Sequence, residues 1–322
     1  MSYRSVFTPG MLEQQVIVVT GGGSGIGRCI AHELASLGAH VAIIGRNPEK
    51  LDTVIDEITE DGGSASMHSL DIRDEAAVIE TVDAIVSRYG RIDGLVNNAG
   101  GQYRAPLREI STKGFEAVVR TNLTGGFIVM REIYNRWMAD NGGAIVNMIA
   151  DIWHGWPHFS HSAASRGGMF TLSECAATEW ASSGVRVNTV APGSIASSGL
   201  DTYDEKDRDF IQNEVACEIP LQRFGTEAEV SAAVVFLLSP AASFITGSCI
   251  RVDGGAPNAR RGWWKLGPVE HNTPFEGFHR SSAPRILSAD AADSTSLAWI
   301  DMDGPNTLSP ELNVTSPEGP RS

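Results

Sequence analysis

The chain has 322 residues, 42% of them hydrophobic and 20% charged, with a formal net charge of −14. That is enough apolar material for a full α/β core, and the acidic balance excludes a surface built for nucleic acid or anionic membranes, which needs clustered Lys and Arg. Cys29, Cys175, Cys217 and Cys249 form no CxxC or Cys/His pair, so neither a metal site nor a disulfide frame is expected.

No stretch reaches the ~18 apolar residues of a membrane span. The segment MSYRSVFTPG lacks the apolar run of a secretion signal, so a cytoplasmic protein is expected. In chain order, short runs at 16–19, 41–44, 66–70, 94–97, 144–149, 185–190 and 249–252 read as strands, most of them aliphatic. Helical stretches follow the first two, at 27–37 and 48–60, with Pro48 well placed at a helix start. Runs that are apolar throughout suit strands buried on both faces. Their alternation with helices predicts a doubly wound parallel α/β sheet, Rossmann-like, in a single domain over 1–256. Residues 257–322 turn rich in Pro, Ser, Asn and Gly. Trp263, Trp264, Phe275, Phe278 and Trp299 favour an extension that wraps on its own or a neighbouring subunit over one that is partly disordered, since a disordered tail usually lacks such anchors.

The first strand runs into Thr20-Gly-Gly-Gly-Ser-Gly-Ile-Gly27. Glycines between an aliphatic strand and an amphipathic helix let the backbone approach a pyrophosphate, with the helix N-terminus aimed at it. Thr20, Gly21, Ser24, Gly25, Ile26 and Gly27 are therefore expected to bind a dinucleotide. The second strand ends in Arg46 with no acid at its tip; an arginine there accommodates a 2′-phosphate, which favours NADP(H). Asp71 and Ile72 are expected beside the adenine, and Asn98, Ala99 and Gly100 beside the nicotinamide.

Five motifs in order, TGxxxGxG, Asn97-Asn-Ala-Gly100, Asn122 in Thr121-Asn-Leu-Thr-Gly125, Arg186-Val-Asn188 and Ala191-Pro-Gly193, resemble the short-chain dehydrogenase/reductase family over roughly residues 12–256. The resemblance adds Pro192 and Gly193 to the cofactor set, and implies a homodimer or homotetramer. The family's catalytic Ser, Tyr-x-x-x-Lys and Asn are matched only by Asn122. The tyrosine position falls on Ser162, the lysine position on Arg166 and the serine position on Ala150.

Serine is a far poorer acid than phenol, and arginine cannot release a proton, so alcohol–ketone interconversion loses its proton donor. Arg166 can still bond ribose hydroxyls. Reduction of a C=C bond conjugated to a thioester tolerates the loss, because the transient enolate oxygen needs hydrogen-bond donors more than a strong acid. His161-Ser-Ala-Ala-Ser-Arg166, Asn98-Ala-Gly-Gly-Gln-Tyr103 and Ser239-Pro-Ala-Ala-Ser-Phe-Ile-Thr-Gly247 look like peroxisomal trans-2-enoyl-CoA reductases, and mitochondrial 2,4-dienoyl-CoA reductases share the serine but carry lysine where this chain has Arg166. The resemblance implies an NADPH-dependent enoyl-CoA or dienoyl-CoA reductase of fatty-acid metabolism. Asn122, Ser162, Arg166 and Asp151 are the catalytic candidates, with Tyr103, His154 and His161 as further donors and Trp153 and Trp156 as pocket walls. The acidic segment 197–220 is expected to cover the substrate. Arg104, Arg108 or Arg260-Arg261 are the expected contacts for CoA phosphates. A catalytically degenerate cofactor-binding protein and a carbonyl reductase with an atypical acid stay open as alternatives.

Overall fold

The computed structural model describes residues 2–202, 208, 211–259 and 267–288. Seven parallel strands lie in the order β3-β2-β1-β4-β5-β6-β9. They are β1 (Val16–Thr20), β2 (His40–Gly45), β3 (Ser64–Ser69), β4 (Gly94–Asn97), β5 (Gly143–Met148), β6 (Val185–Pro192) and β9 (Cys249–Val252). A separate two-residue pair, β7 (Ile195–Ala196) and β8 (Gly225–Thr226), follows β6. The expected strands are all present, β4 and β9 with the same bounds. Edge strand β3 tolerates its polar sequence SASMHS because it pairs on one side only, with β2, and is exposed or half-buried throughout.

The helices are α1 (Gly25–Ser36), α2 (Pro48–Glu60), α3 (Glu75–Tyr89), α4 (Thr112–Val119), α5 (Gly126–Ile133), α6 (Ser160–Glu179) and α7 (Glu227–Leu238). Pleating sends successive β1 side chains to opposite faces. Ile17 and Val19 pack with α1, α2 and α7 through Ile30, Leu34, Val54 and Val234. Val16 and Val18 pack with α3 and α5 through Val78, Val82, Val129 and Ile133. Both faces of the sheet are therefore covered, as its continuous apolar strands require.

Strand order reverses between β1 and β4, and in open α/β sheets ligands bind at the carboxyl ends beside such a switch point. Residues 267–288 lie within the same compact unit as the sheet and pack on it: Phe278 joins Tyr3, Cys29 and Ala228 in a buried cluster. Among the described residues no helix is long and apolar enough to cross a membrane. Trp263, Trp264 and Trp299 lie outside the described residues.

Candidate active site

At the tip of β1 the chain turns through Gly21 and Gly25, both in the left-handed region at φ +69° and +55°. The turn is so tight that a Cβ on Gly27 would sit 2.3 Å from the Gly21 oxygen. The buried Thr20 hydroxyl accepts from the Asn98 and Ala99 N–H groups at 3.0 Å each, and Asn98 Nδ2 donates to the Thr20 oxygen at 3.1 Å. These bonds bolt β1 to β4 at the switch point. Ser24 is the N-cap of α1, yet its side chain makes no capping bond, which leaves first-turn N–H groups for an anion. Ile26 packs against the core below.

Arg46 is exposed at the tip of β2. Asp71, nearby, grips the Arg73 guanidinium at 2.9 and 2.5 Å, and that pairing holds its carboxyl down at about 2. Ile72 is buried against Gly125. At the end of β6, a Cβ on Gly193 would lie 2.8 Å from the Asp253 Cα, so the approach of the two backbones depends on glycine there. The Pro192 oxygen accepts the Asp151 N–H at 3.1 Å.

Asn122 lies in a wide π-turn, Arg120–Gly125, that joins α4 to α5. Its Oδ1 accepts from Gly101 N at 2.8 Å and its Nδ2 donates to Gly101 O at 3.0 Å. With both ends of the amide spent on the backbone of one residue, Gly101, Asn122 clamps the loop that carries Gly100 and Gln102. The Arg166 guanidinium donates to the Met148 oxygen at 2.5 Å and reaches within 2.5 Å of where a Gly100 Cβ would be. Its Nε is buried without a partner. Burial draws its pKa down to about 10, so it stays cationic at neutral pH. The orphaned Nε, the uncapped α1 and the glycine turn together fit a dinucleotide.

Ser162 is fully buried and its hydroxyl donates to Gln102 Oε1 at 2.8 Å. The hydroxyl proton is thus engaged, and the Gln102 amide is oriented with its NH₂ turned away from Ser162. His161 Nδ1 accepts the Ser162 N–H at 2.9 Å, which assigns the ring proton to Nε2. That Nε2 is buried without a partner, and the ring meets Tyr103 edge-on at 4.4 Å.

Asp151 follows β5, and its Oδ1 is buried with no hydrogen bond. Burial and the neighbouring Asp253 carboxylate push its carboxyl above the ordinary range. Asp253 pairs with Arg251 at 3.3 Å, and Arg251 lies 5.5 Å over the Trp153 ring. Trp156 packs on Phe159 at 4.9 Å, and His154 sits at φ +68°.

The structure therefore brings Gly100, Asn122, Ser162 and Arg166 into one cluster, with Asp151 on the neighbouring strand ends and Arg46 and Asp71 at the far end of the cradle. Arg104 and Arg108 are exposed, and Arg108 faces Glu109 at 3.5 Å. Arg260, Arg261, Asp204, Glu205, Asp207 and Asp209 lie outside the described residues. Two residues are new to the site. Gln102 is recruited by Ser162, and Asp253 stands beside Asp151 because β9 ends next to β6.

Residues 21–257 match the protein family described as enoyl-(acyl carrier protein) reductase. A peroxisomal 2,4-dienoyl-CoA reductase [(3E)-enoyl-CoA-producing] of Danio rerio is 37% identical over 257 residues, covering 79% of this chain and 85% of that one. The solved structure of a citronellol catabolism dehydrogenase of Pseudomonas aeruginosa is 54% identical at a TM-score of 0.72, covering 79% of this chain and all of that one. A Beutenbergia cavernae protein assigned as an NAD(P)-dependent gluconate 5-dehydrogenase, with bound NADP at low occupancy, is 35% identical at a TM-score of 0.72, covering 77% and 99% of the two chains.

Proposed function

The chain belongs to the short-chain dehydrogenase/reductase family, and from that premise we propose that it reduces the C=C bond of an enoyl or dienoyl thioester, with CoA as the thiol, using NADPH. The observation that carries this reading is the Ser162–Gln102 pair: a hydroxyl committed to orienting an amide, at the position where a ketone reductase needs an acid. A bound nicotinamide would supply the hydride, to the β carbon of an enoyl thioester or the δ carbon of a dienoyl thioester. The electron pair of the double bond moves onto the thioester as an enolate. The Gln102 NH₂, held by Ser162, donates to that oxygen. Asp151, whose carboxyl is raised by burial and by Asp253, is the group placed to deliver the proton to the α carbon and be reprotonated from water. Arg166 holds the ribose hydroxyls through its unpartnered Nε. Asn122 positions the Gly101 peptide on which Gln102 hangs.

NADP(H) is favoured over NAD(H) by Arg46 and by the lack of an acid at the β2 tip. The family resemblance supports a homodimer or homotetramer. A second reading, oxidation of a citronellol-like branched alcohol, is favoured by the 54% identity to the Pseudomonas aeruginosa protein. It requires a base for the hydroxyl proton, and the ring nitrogen of His161 that could serve, Nδ1, already accepts the Ser162 N–H. Following NADPH consumption with trans-2-enoyl-CoA and 2,4-dienoyl-CoA, and NADP reduction with citronellol, separates the two. Turnover confined to citronellol would exclude thioester reduction.

A further inference from the structure

We infer that Arg285 and Ile286, in the C-terminal extension, are positioning residues for the turn Ser198–Thr202, which covers the dinucleotide cradle. That turn is held from two sides. On its inner side, Ser198 Oγ lies 3.4 Å from where a Cβ on Gly25 would be. Ser198 also shares a cavity of about 270 Å³ with Gly23, Ser24, Arg28 and Lys50, and its backbone N–H is bonded by the Glu227 carboxylate. The turn therefore lies against the start of α1, where an anion is received.

On its outer side, Asp201 Oδ1 accepts the Arg285 N–H at 2.7 Å, and the Arg285 guanidinium stands 3.8 Å from the same oxygen. Ile286 is only 3% exposed, in a 3₁₀ turn (Arg285–Leu287) that packs on Ser198–Thr202 and on the Ile211–Val215 turn. Burial of the Ile286 side chain takes its apolar surface out of water and so favours the contact between these turns.

The extension itself is anchored away from the turn. Phe278 is buried under the Arg28 guanidinium at 5.0 Å, and Arg280 binds Asp61 and Glu60 at 3.0 Å each. Further back, Asn272 Nδ2 donates to the Leu221 oxygen at 2.7 Å, and Thr226 Oγ1 to the Phe275 oxygen at 2.8 Å. A continuous chain of contacts thus runs from α1 and α2 through the extension to the outer face of the covering turn. It lies wholly beyond residue 257, where the family match ends. The inference rests on the dinucleotide reading of the glycine turn and not on the identity of the substrate.

The test uses the full-length protein and the variants Ile286→Asp and Asp201→Ala. NADPH binding is measured by cofactor fluorescence, and amide hydrogen exchange is followed at 198–202 with no ligand added. Loss of a charge-assisted hydrogen bond or of the buried side chain should raise the NADPH dissociation constant about tenfold and speed exchange at 198–202. Asp201→Asn, which keeps an acceptor for the Arg285 N–H, should recover most of the affinity. Ile85→Val, a buried change in α3 on the opposite face, should lower the melting temperature and leave both readings alone. Dissociation constants within twofold of the parent in both variants, with exchange unchanged, would overturn the inference. If the parent bound no NADPH, the dinucleotide reading would fall instead, and faster exchange at 198–202 in the variants would still support the positioning role.

Discussion

The Ser162 hydroxyl donates to Gln102 Oε1 across 2.8 Å, between a helix and a loop separated by 60 positions in the chain. Only the NH₂ end of the Gln102 amide is then left to face a substrate, which makes this pair a donor aimed by a second residue. Gln102→Ala should lower kcat/KM for an enoyl-CoA by about a hundredfold, the usual cost of one oxyanion donor, with NADPH affinity unchanged. Ser162→Ala should cost about tenfold, because the amide remains and only its orientation is lost. Steady-state kinetics beside cofactor titration would check both. Equal losses of cofactor binding would show a structural role instead.

Asp151 and Asp253 are predicted to shape the pH profile. An acid acts only while protonated, and burial together with Asp253 raises the Asp151 carboxyl. The rate should therefore fall as pH rises through that raised value. Removing the like charge with Asp253→Asn should shift the falling limb to lower pH, and Asp151→Asn should lower kcat and abolish the limb. An unshifted limb in Asp253→Asn would contradict the pairing.

Glu227 stands against the cofactor cradle, with its Oε1 3.8 Å from where a Gly25 Cβ would be. Burial raises its carboxyl to about 7, against the pull of Arg28 and the Ser198 N–H, with the buried Cys29 thiol also near. A pyrophosphate bound at Gly25 would raise it further, so binding takes up a proton and NADPH affinity should weaken as pH rises through about 7. Because the folded carboxyl is raised, its contribution to stability is present below the unfolded value of about 4.5 and is lost as pH rises toward 7. Glu227→Gln should flatten the difference in affinity between pH 6 and pH 8 measured by titration; an identical pH dependence in the variant would refute it.

Arg46 should set the choice of cofactor. Arg46→Ala should raise the dissociation constant for NADPH by roughly ten- to a hundredfold, the worth of a charge-assisted bond to phosphate. NADH should bind no worse than before. A matching loss for both cofactors would remove Arg46 from the 2′-phosphate site.

The glycine turn between β1 and α1 was legible because its pattern is local. Thr20 to Gly27 follow one aliphatic strand and open one helix, so pattern and spacing suffice. The strands at 94–97 and 249–252 were equally plain, being aliphatic runs closed by Asn or by Asp-Gly. Gln102 was not legible as a donor, because its orientation comes from Ser162 on a helix that arrives 60 residues later. Asp253 was hidden for a similar reason: only the pairing of β6 with β9 sets it beside Asp151. The sequence marks Asn122 as a catalytic candidate, but not that tertiary contact bonds its amide to the Gly101 backbone. In the extension, Phe278 could be read as an anchor from its type, but its partner surface on α1 could not.

The most direct measurement is NADPH oxidation by the purified full-length chain, presented in parallel with trans-2-enoyl-CoA thioesters of several lengths, a 2,4-dienoyl-CoA and simple ketones. Hydride delivered to a thioester-conjugated alkene, with product mass raised by two hydrogens and ketones left untouched, is the predicted result. Reduction of ketones with no turnover of any acyl thioester would contradict it.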